Sequence, residues 1–273
     1  MFTYLSEMLS FTFMVRALIV GALVSLCSAL LGVSLVLKRY SMIGDGLSHV
    51  CFGAMAVAVA LGIAPLKVAI PSAVLAAFLL LRVGESSRIK GDSAVALIST
   101  GAMAVGIMVV SMVKGINTDI TNFMFGSVLA MTKEDVLLSV LLCGVVLLVF
   151  VLFYKYIFSV TFDENFARAT GIKAGAYNML LAALAAVTVV LGMRMIGALL
   201  ISSLILFPPL TAMRLAKDFK GVVICSGVVA LVCFFVGLTV SYAKSTPAGA
   251  SVVVANILCF VLFSIVEQVQ KRI

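Results

Sequence analysis

The chain is a succession of apolar runs, each about as long as the ~20 residues a helix needs to cross a bilayer, and this succession decides what it can fold into. The runs fall at about 13–37, 44–63, 66–82, 93–113, 136–154, 176–192, 195–213, 222–241 and 249–267, divided at Pro, Gly and charged residues. They predict an all-α, polytopic membrane helix bundle of about nine spans. Composition agrees: of 273 residues, 64% are hydrophobic and 11% charged, and the mean hydropathy is +1.29. A soluble domain is roughly half apolar and a quarter charged. No stretch between the runs is long enough to fold by itself, so residues 1–273 read as one transmembrane domain. The formal net charge of +8 needs no nucleic-acid partner, because Lys and Arg gather in the cytoplasmic loops of membrane proteins.

That same bias sets the orientation. With the N-terminus outside, most of the 19 basic residues fall in cytoplasmic loops and the C-terminus is cytoplasmic. This topology, N-out and C-in, requires a reversal at 192-GMRM-195; without one, everything downstream would invert. Pro208-Pro209, within 204-LILFPPLTAMRL-215, should kink or end the seventh span, since Pro lacks a backbone donor and its ring clashes with the preceding turn. In the segment 114–135, Phe123–Met131 is too short to span and reads as a half-helix or interfacial segment. The N-terminus carries Glu7 rather than a basic start and its apolar run continues to Leu37, so no cleaved signal is expected. The six cysteines all fall in apolar runs without a CxxC pair and read as small buried hydrophobes, with Cys51 of interest because it follows His49 by two residues.

Of the 11 acids, Asp45 comes closest to lying inside a span, and His49, the only histidine, follows four residues later in 41-SMIGDGLSHV-50. Residues four apart lie on one helix face, about 6 Å apart along the axis. A carboxylate and an imidazole so placed can approach a single ion and suit zinc, manganese or ferrous iron; Ser48 could add a weaker oxygen ligand. The same spacing also fits a structural pair, with Asp45 stabilising a helix N-terminus and His49 hydrogen-bonded to it. The cost of ionisable groups at membrane depth favours the functional reading. Two ligands are too few to trap a metal, which suits a step along a route. One histidine allows at most one catalytic triad, and neither GxSxG nor GxxxxGK[ST] occurs, so the chain is not expected to be an enzyme or to hydrolyse ATP itself.

The longest cytoplasmic loop, about 155–175, contains 161-TFDENFARATGI-172. Acids at the start and Gly171 after the end predict a short helix over Glu164–Thr170. Phe162, Phe166 and Ala169 would form an apolar stripe facing the cytoplasm, either lying on lipid or docking a soluble partner.

On 31-LGVSLVLKRYSMIGDGLSHVCFG-53, 120-ITNFMFGSVLAMTKED-135, 161-TFDENFARATGI-172, 196-IGALLISSLILFPPLTAMRL-215 and 246-TPAGASVVV-254, the chain resembles the membrane permeases of zinc/manganese/iron ABC importers along nearly its whole length. The resemblance implies a relation in fold to the vitamin B12-type ABC permeases, and a homodimer with a translocation path on its two-fold axis. It further implies a cytoplasmic ABC ATPase dimer, an extracellular metal-binding protein, and residence in the plasma membrane of a prokaryote. No permanently bound cofactor is implied; the metal, zinc or manganese, is cargo. Asp45 and His49 match the family's GDxLSH motif as candidate metal-pathway residues. Asp163, Glu164, Phe166, Ala167 and Gly171 match its ATPase-contacting loop. Asp119 and the 114–135 segment are candidates for docking the binding protein. The order of spans puts the Asp45/His49 pair near the cytoplasmic end of the second span, acting late on the route. A siderophore or cobalamin permease and a stand-alone secondary metal transporter are the alternatives.

Overall fold

The computed structural model of the chain describes residues 10–40, 42–86, 91–112 and 132–270, with the backbone alone at 83–86, 91, 92, 195, 196, 199 and 270. Among the described residues there are eleven helices and no strand: α1 Thr12–Leu37, α2 Ile43–Ala60, α3 Pro65–Ser86, α4 Gly91–Met112, α5 Lys133–Leu152, α6 Tyr154–Phe162, α7 Glu164–Ala169, α8 Ala174–Ile196, α9 Ala198–Leu215, α10 Phe219–Lys244 and α11 Ala248–Gln270. Eight are long and apolar enough to cross a membrane, and the apolar part of α9, Leu200–Leu215, is shorter. The sequence predicts about nine spans; among the described residues eight reach that length, and α9 is the expected seventh span in shorter form. The outer helices leave apolar side chains uncovered, among them Val105 and Met108 on α4, Leu137, Leu141 and Leu148 on α5, and Leu258 and Leu262 on α11. Helices apolar on every side belong in lipid.

Polar contacts between helix ends fix the direction of each rod. At one end, Lys38 after α1 meets Asn178 near the start of α8, and Arg214 at the end of α9 pairs with Glu267 near the end of α11 at 2.6 Å. At the opposite end, Asp135 in the first turn of α5 pairs with Arg194 in the last turn of α8 at 2.6 Å. The first of these ends, which also carries Lys155, Lys217 and Lys220, is called the basic end below.

The reversal between the sixth and seventh crossings occurs, but at Gly197 rather than within 192-GMRM-195. Gly197 has φ 94 and ψ 157, a conformation open to glycine and strained for other residues. The helix runs on past Gly192 because Arg194 must reach Asp135, and it stops at the first residue free to leave right-handed space. The chain then doubles back: a side chain on Gly192 would collide with Ile201, and Met213 lines the same cavity as Leu37. Pro208 and Pro209 neither end nor break α9, which continues to Leu215. Pro209 has no N–H for the carbonyl of Ile205. That carbonyl lies against Gly32 of α1, where any Cβ would collide with it. Residues 154–162, expected in a loop, form α6, because Tyr154, Phe158 and Phe162 recur on one face and all pack on Phe219, with ring centroids 5.6, 5.1 and 6.3 Å apart.

Small residues set the closest seam. α2 and α4 run parallel, Gly46 lying by Val95 and Ser99 and Gly53 by Ala102. A Cβ on Gly106 would sit 2.8 Å from the Cα of Gly53. Such backbone approach is how helices associate in lipid, where no hydrophobic gain drives them together.

Candidate functional site

Asp45 is the third residue of α2 and His49 lies one turn on. The two side chains meet as their spacing predicts, with His49 Nε2 3.6 Å from Asp45 Oδ2. That is long for a hydrogen bond. It matches the bite of one ion, since bonds of about 2.1 Å to both atoms would span it at roughly 120°. The Asp45 side chain is 48% exposed and that of His49 28%, so the pair opens onto the surface of the bundle and not into its core.

A third group, missed in the sequence, completes the arrangement. Ser202 of α9 donates its hydroxyl to Asp45 Oδ1 at 3.3 Å, which turns Oδ2 toward His49. No sequence signal marks Ser202, which stands 157 residues away inside an apolar run. Ser48 is placed differently from its expected role. It is buried, and its hydroxyl donates to the backbone carbonyl of Asp45 at 2.7 Å, not toward the carboxylate. Cys51 is fully buried in the core. No cluster of three or more His, Cys, Asp or Glu side chains occurs among the described residues. Asp119 and Phe123–Met131 lie outside the described residues.

The pair lies at the end of α2 that the order of spans predicts. It occupies the basic end of α2, but α2 begins inside the bundle. Gly44 packs on Ile205, the nearest atom of which would lie 2.9 Å from a Cβ at that position. Ser202 stands roughly 20 Å of helical rise from the basic end of α9, at Leu215. The pair is thus level with Ser202, well away from the basic end of α9.

At the basic end, α7 forms as its sequence predicts, over Glu164–Ala169. Asp163 caps it, accepting a hydrogen bond from the Phe166 amide at 2.9 Å. Gly171, at φ 86, ends it in the left-handed region, and Ile172 N–H reaches back to the Ala167 carbonyl at 2.9 Å. Ala167 is buried with Val160 and Ala174 in a small separate core. Phe162 and Phe166 are exposed by 64% and 62%, so the apolar stripe faces outward. Glu164 faces inward and accepts from Lys38 at 3.1 Å, Asn178 at 3.0 Å and Arg168 at 2.6 Å. Burial alone would raise the Glu164 carboxyl; hydrogen bonds from Asn178, Lys38 and Arg168, with the charge of Lys38, outweigh it and hold the group below its ordinary range.

An all-helical multi-pass bundle that keeps an ionisable pair half-open among its helices has the build of a membrane permease. The chain belongs to the ABC 3 transport family, whose description matches residues 10–267. It is 29% identical over 261 residues to the manganese import system permease protein ScaB of Streptococcus gordonii, covering 96% of this chain and 94% of that one. Relatives in Haemophilus influenzae are named for zinc uptake and for iron transport. Its fold matches PsaBC from Streptococcus pneumoniae, solved in complex with Fab, with a TM-score of 0.86 and 27% identity over 96% of this chain and 94% of that one. An inward-facing metal-chelate type ABC transporter shares the fold at a TM-score of 0.73 and 16% identity, over 92% of this chain and 85% of that one.

Proposed function

We propose that this chain is the membrane permease of an ATP-driven importer for a divalent transition metal, zinc or manganese, and that it works as a homodimer. The carrying observation is the Asp45–His49 pair, 3.6 Å apart and half-open beside Ser202 in a bundle of this family. A carboxylate 48% exposed cannot be left facing hydrocarbon. A second copy and a hydrated path between the copies would cover it. Two pairs facing across a two-fold axis would offer four ligands, enough for a tetrahedral ion, while each copy alone holds too few to retain one.

In this reading a metal-binding protein delivers the ion from outside and an ATPase dimer binds at the basic end through Phe162 and Phe166. Asp163 and Gly171 set the ends of α7, and Ala167 and Glu164 fasten it to the bundle. The chain itself breaks no bond. Zinc and manganese both suit Asp plus His, and similar permeases are named for manganese, zinc and iron alike.

Proteoliposomes holding this chain, its ATPase and its binding protein test the reading, with zinc and manganese offered in competition. Uptake of one metal that needs ATP hydrolysis is expected. Uptake that proceeds without ATP would point instead to a secondary transporter working alone.

A further inference from the structure

Lys38 counts in the sequence only as a loop cation, yet its side chain is 8% exposed. A buried ammonium is costly unless each of its donors is met. Here Nζ donates to three elements at once: the Val160 carbonyl of α6 at 3.1 Å, Glu164 of α7 at 3.1 Å, and Asn178 Oδ1 of α8. Glu164 is fixed from its other sides by Asn178 Nδ2 at 3.0 Å and Arg168 at 2.6 Å. The small core of Val160, Ala167 and Ala174 binds α6, α7 and the start of α8 into one body. Lys38 is the charged joint between that body and α1.

On its other side Lys38 leads toward Asp45 and His49. Arg39 follows it at φ 61, a left-handed conformation that is costly for any residue but glycine. The Arg39 and Tyr40 amides donate back to the Val36 and Leu35 carbonyls at 3.0 and 2.8 Å, and the Ile43 amide donates to the Tyr40 carbonyl at 3.0 Å. These bonds tie Arg39 and Tyr40 to the last turn of α1 and the first residue of α2 to Tyr40. Seven residues after Lys38 comes Asp45.

We propose that the Lys38–Glu164–Asn178 clamp transmits motion of the ATPase-facing helix α7 to the α1–α2 turn and so to Asp45 and His49, Lys38 acting as a positioning residue for transport. This rests on the proposed importer function. Phe166 points outward from α7 while Glu164, two residues earlier, is held inward, so a displacement applied at Phe166 moves the carboxylate that Lys38 grips. Stability alone accounts poorly for the cluster, because desolvation offsets much of the attraction in a buried ion pair and apolar replacements are often neutral or stabilising.

The test uses Lys38→Met in the complete assembly in proteoliposomes, reading metal moved and ATP hydrolysed separately. Arg214→Gln, which breaks an ion pair at the same end but outside this path, is the comparator. Lys38→Met should assemble and hydrolyse ATP while metal moved per ATP falls by about tenfold, a coupling loss of ordinary size; Arg214→Gln should keep the ratio. An unchanged ratio in Lys38→Met would overturn the proposal, whatever its melting temperature. If Lys38→Met does not fold, Asn178→Leu reads the same ratio with the same two outcomes. Wild type that moves no metal with ATP would sink the importer reading instead, so the two failures are distinct.

Discussion

The glycine seam between α2 and α4 holds the helix that carries Asp45 and His49, and Gly106→Ala perturbs it by a known amount. The added Cβ would stand 2.8 Å from the Cα of Gly53 and 3.3 Å from the ring of Phe52, where ordinary contact begins at 3.4 Å. The obstacle at Gly53 is backbone and cannot rotate away, so the two helices must part by about 0.6 Å locally. Overpacking of this kind costs about 1–3 kcal/mol, and alanine returns up to about 1 kcal/mol of helix propensity. A net loss of about 1 kcal/mol is expected, or a few degrees in melting temperature for a chain of this size. Gly101→Ala on the same helix is the control, since a Cβ there meets nothing within 4 Å, and it should be neutral or stabilising. Thermal unfolding of the purified protein in detergent measures both. Because α2 moves with the seam, metal uptake should fall in Gly106→Ala and hold in Gly101→Ala. Equal melting temperatures for the two variants would refute the packing account.

Three further outcomes follow from the site and the coupling helix. Ser202→Ala frees the Asp45 carboxylate to rotate and should weaken metal affinity by about tenfold, as loss of a ligand's hydrogen-bonding partner does elsewhere, measured by competition with a chelating dye. Phe166→Ala removes an exposed ring, so the fold should change by less than about 0.5 kcal/mol; binding of the ATPase, titrated in detergent, should nonetheless weaken by at least about tenfold. Because the Glu164 carboxyl is held lower in the folded chain than its usual 4.5, its anchoring of α7 is fully present above that value and is lost as pH falls through the depressed one. Protection of the α7 amides, taken against intrinsic exchange at each pH, should therefore fall on acidification, and Glu164→Gln should remove that dependence.

The crossings, the Asp45–His49 contact and the capped α7 were legible in the sequence because each is local. Run length, a spacing of four, and Asp163 with Gly171 at the helix ends carry the information within a few residues. The position of the reversal was displaced by a distant demand, the reach of Arg194 to Asp135. The prolines do not end α9, because a helix in a bundle can accommodate a carbonyl that lacks its N–H where glycine on a neighbour makes room, as Gly32 does for Ile205. Ser202 and the Lys38 clamp join residues over a hundred positions apart, and a sequence without its fold holds no trace of such meetings.

The central claim, that Asp45 and His49 handle the metal, is tested most directly by metal uptake in the complete assembly with wild type, His49→Ala and Asp45→Asn compared. Both variants should still assemble with the ATPase and bind the metal-loaded partner protein, yet move no metal. Uptake at the wild-type rate by either variant would contradict the claim and make the two residues a structural pair.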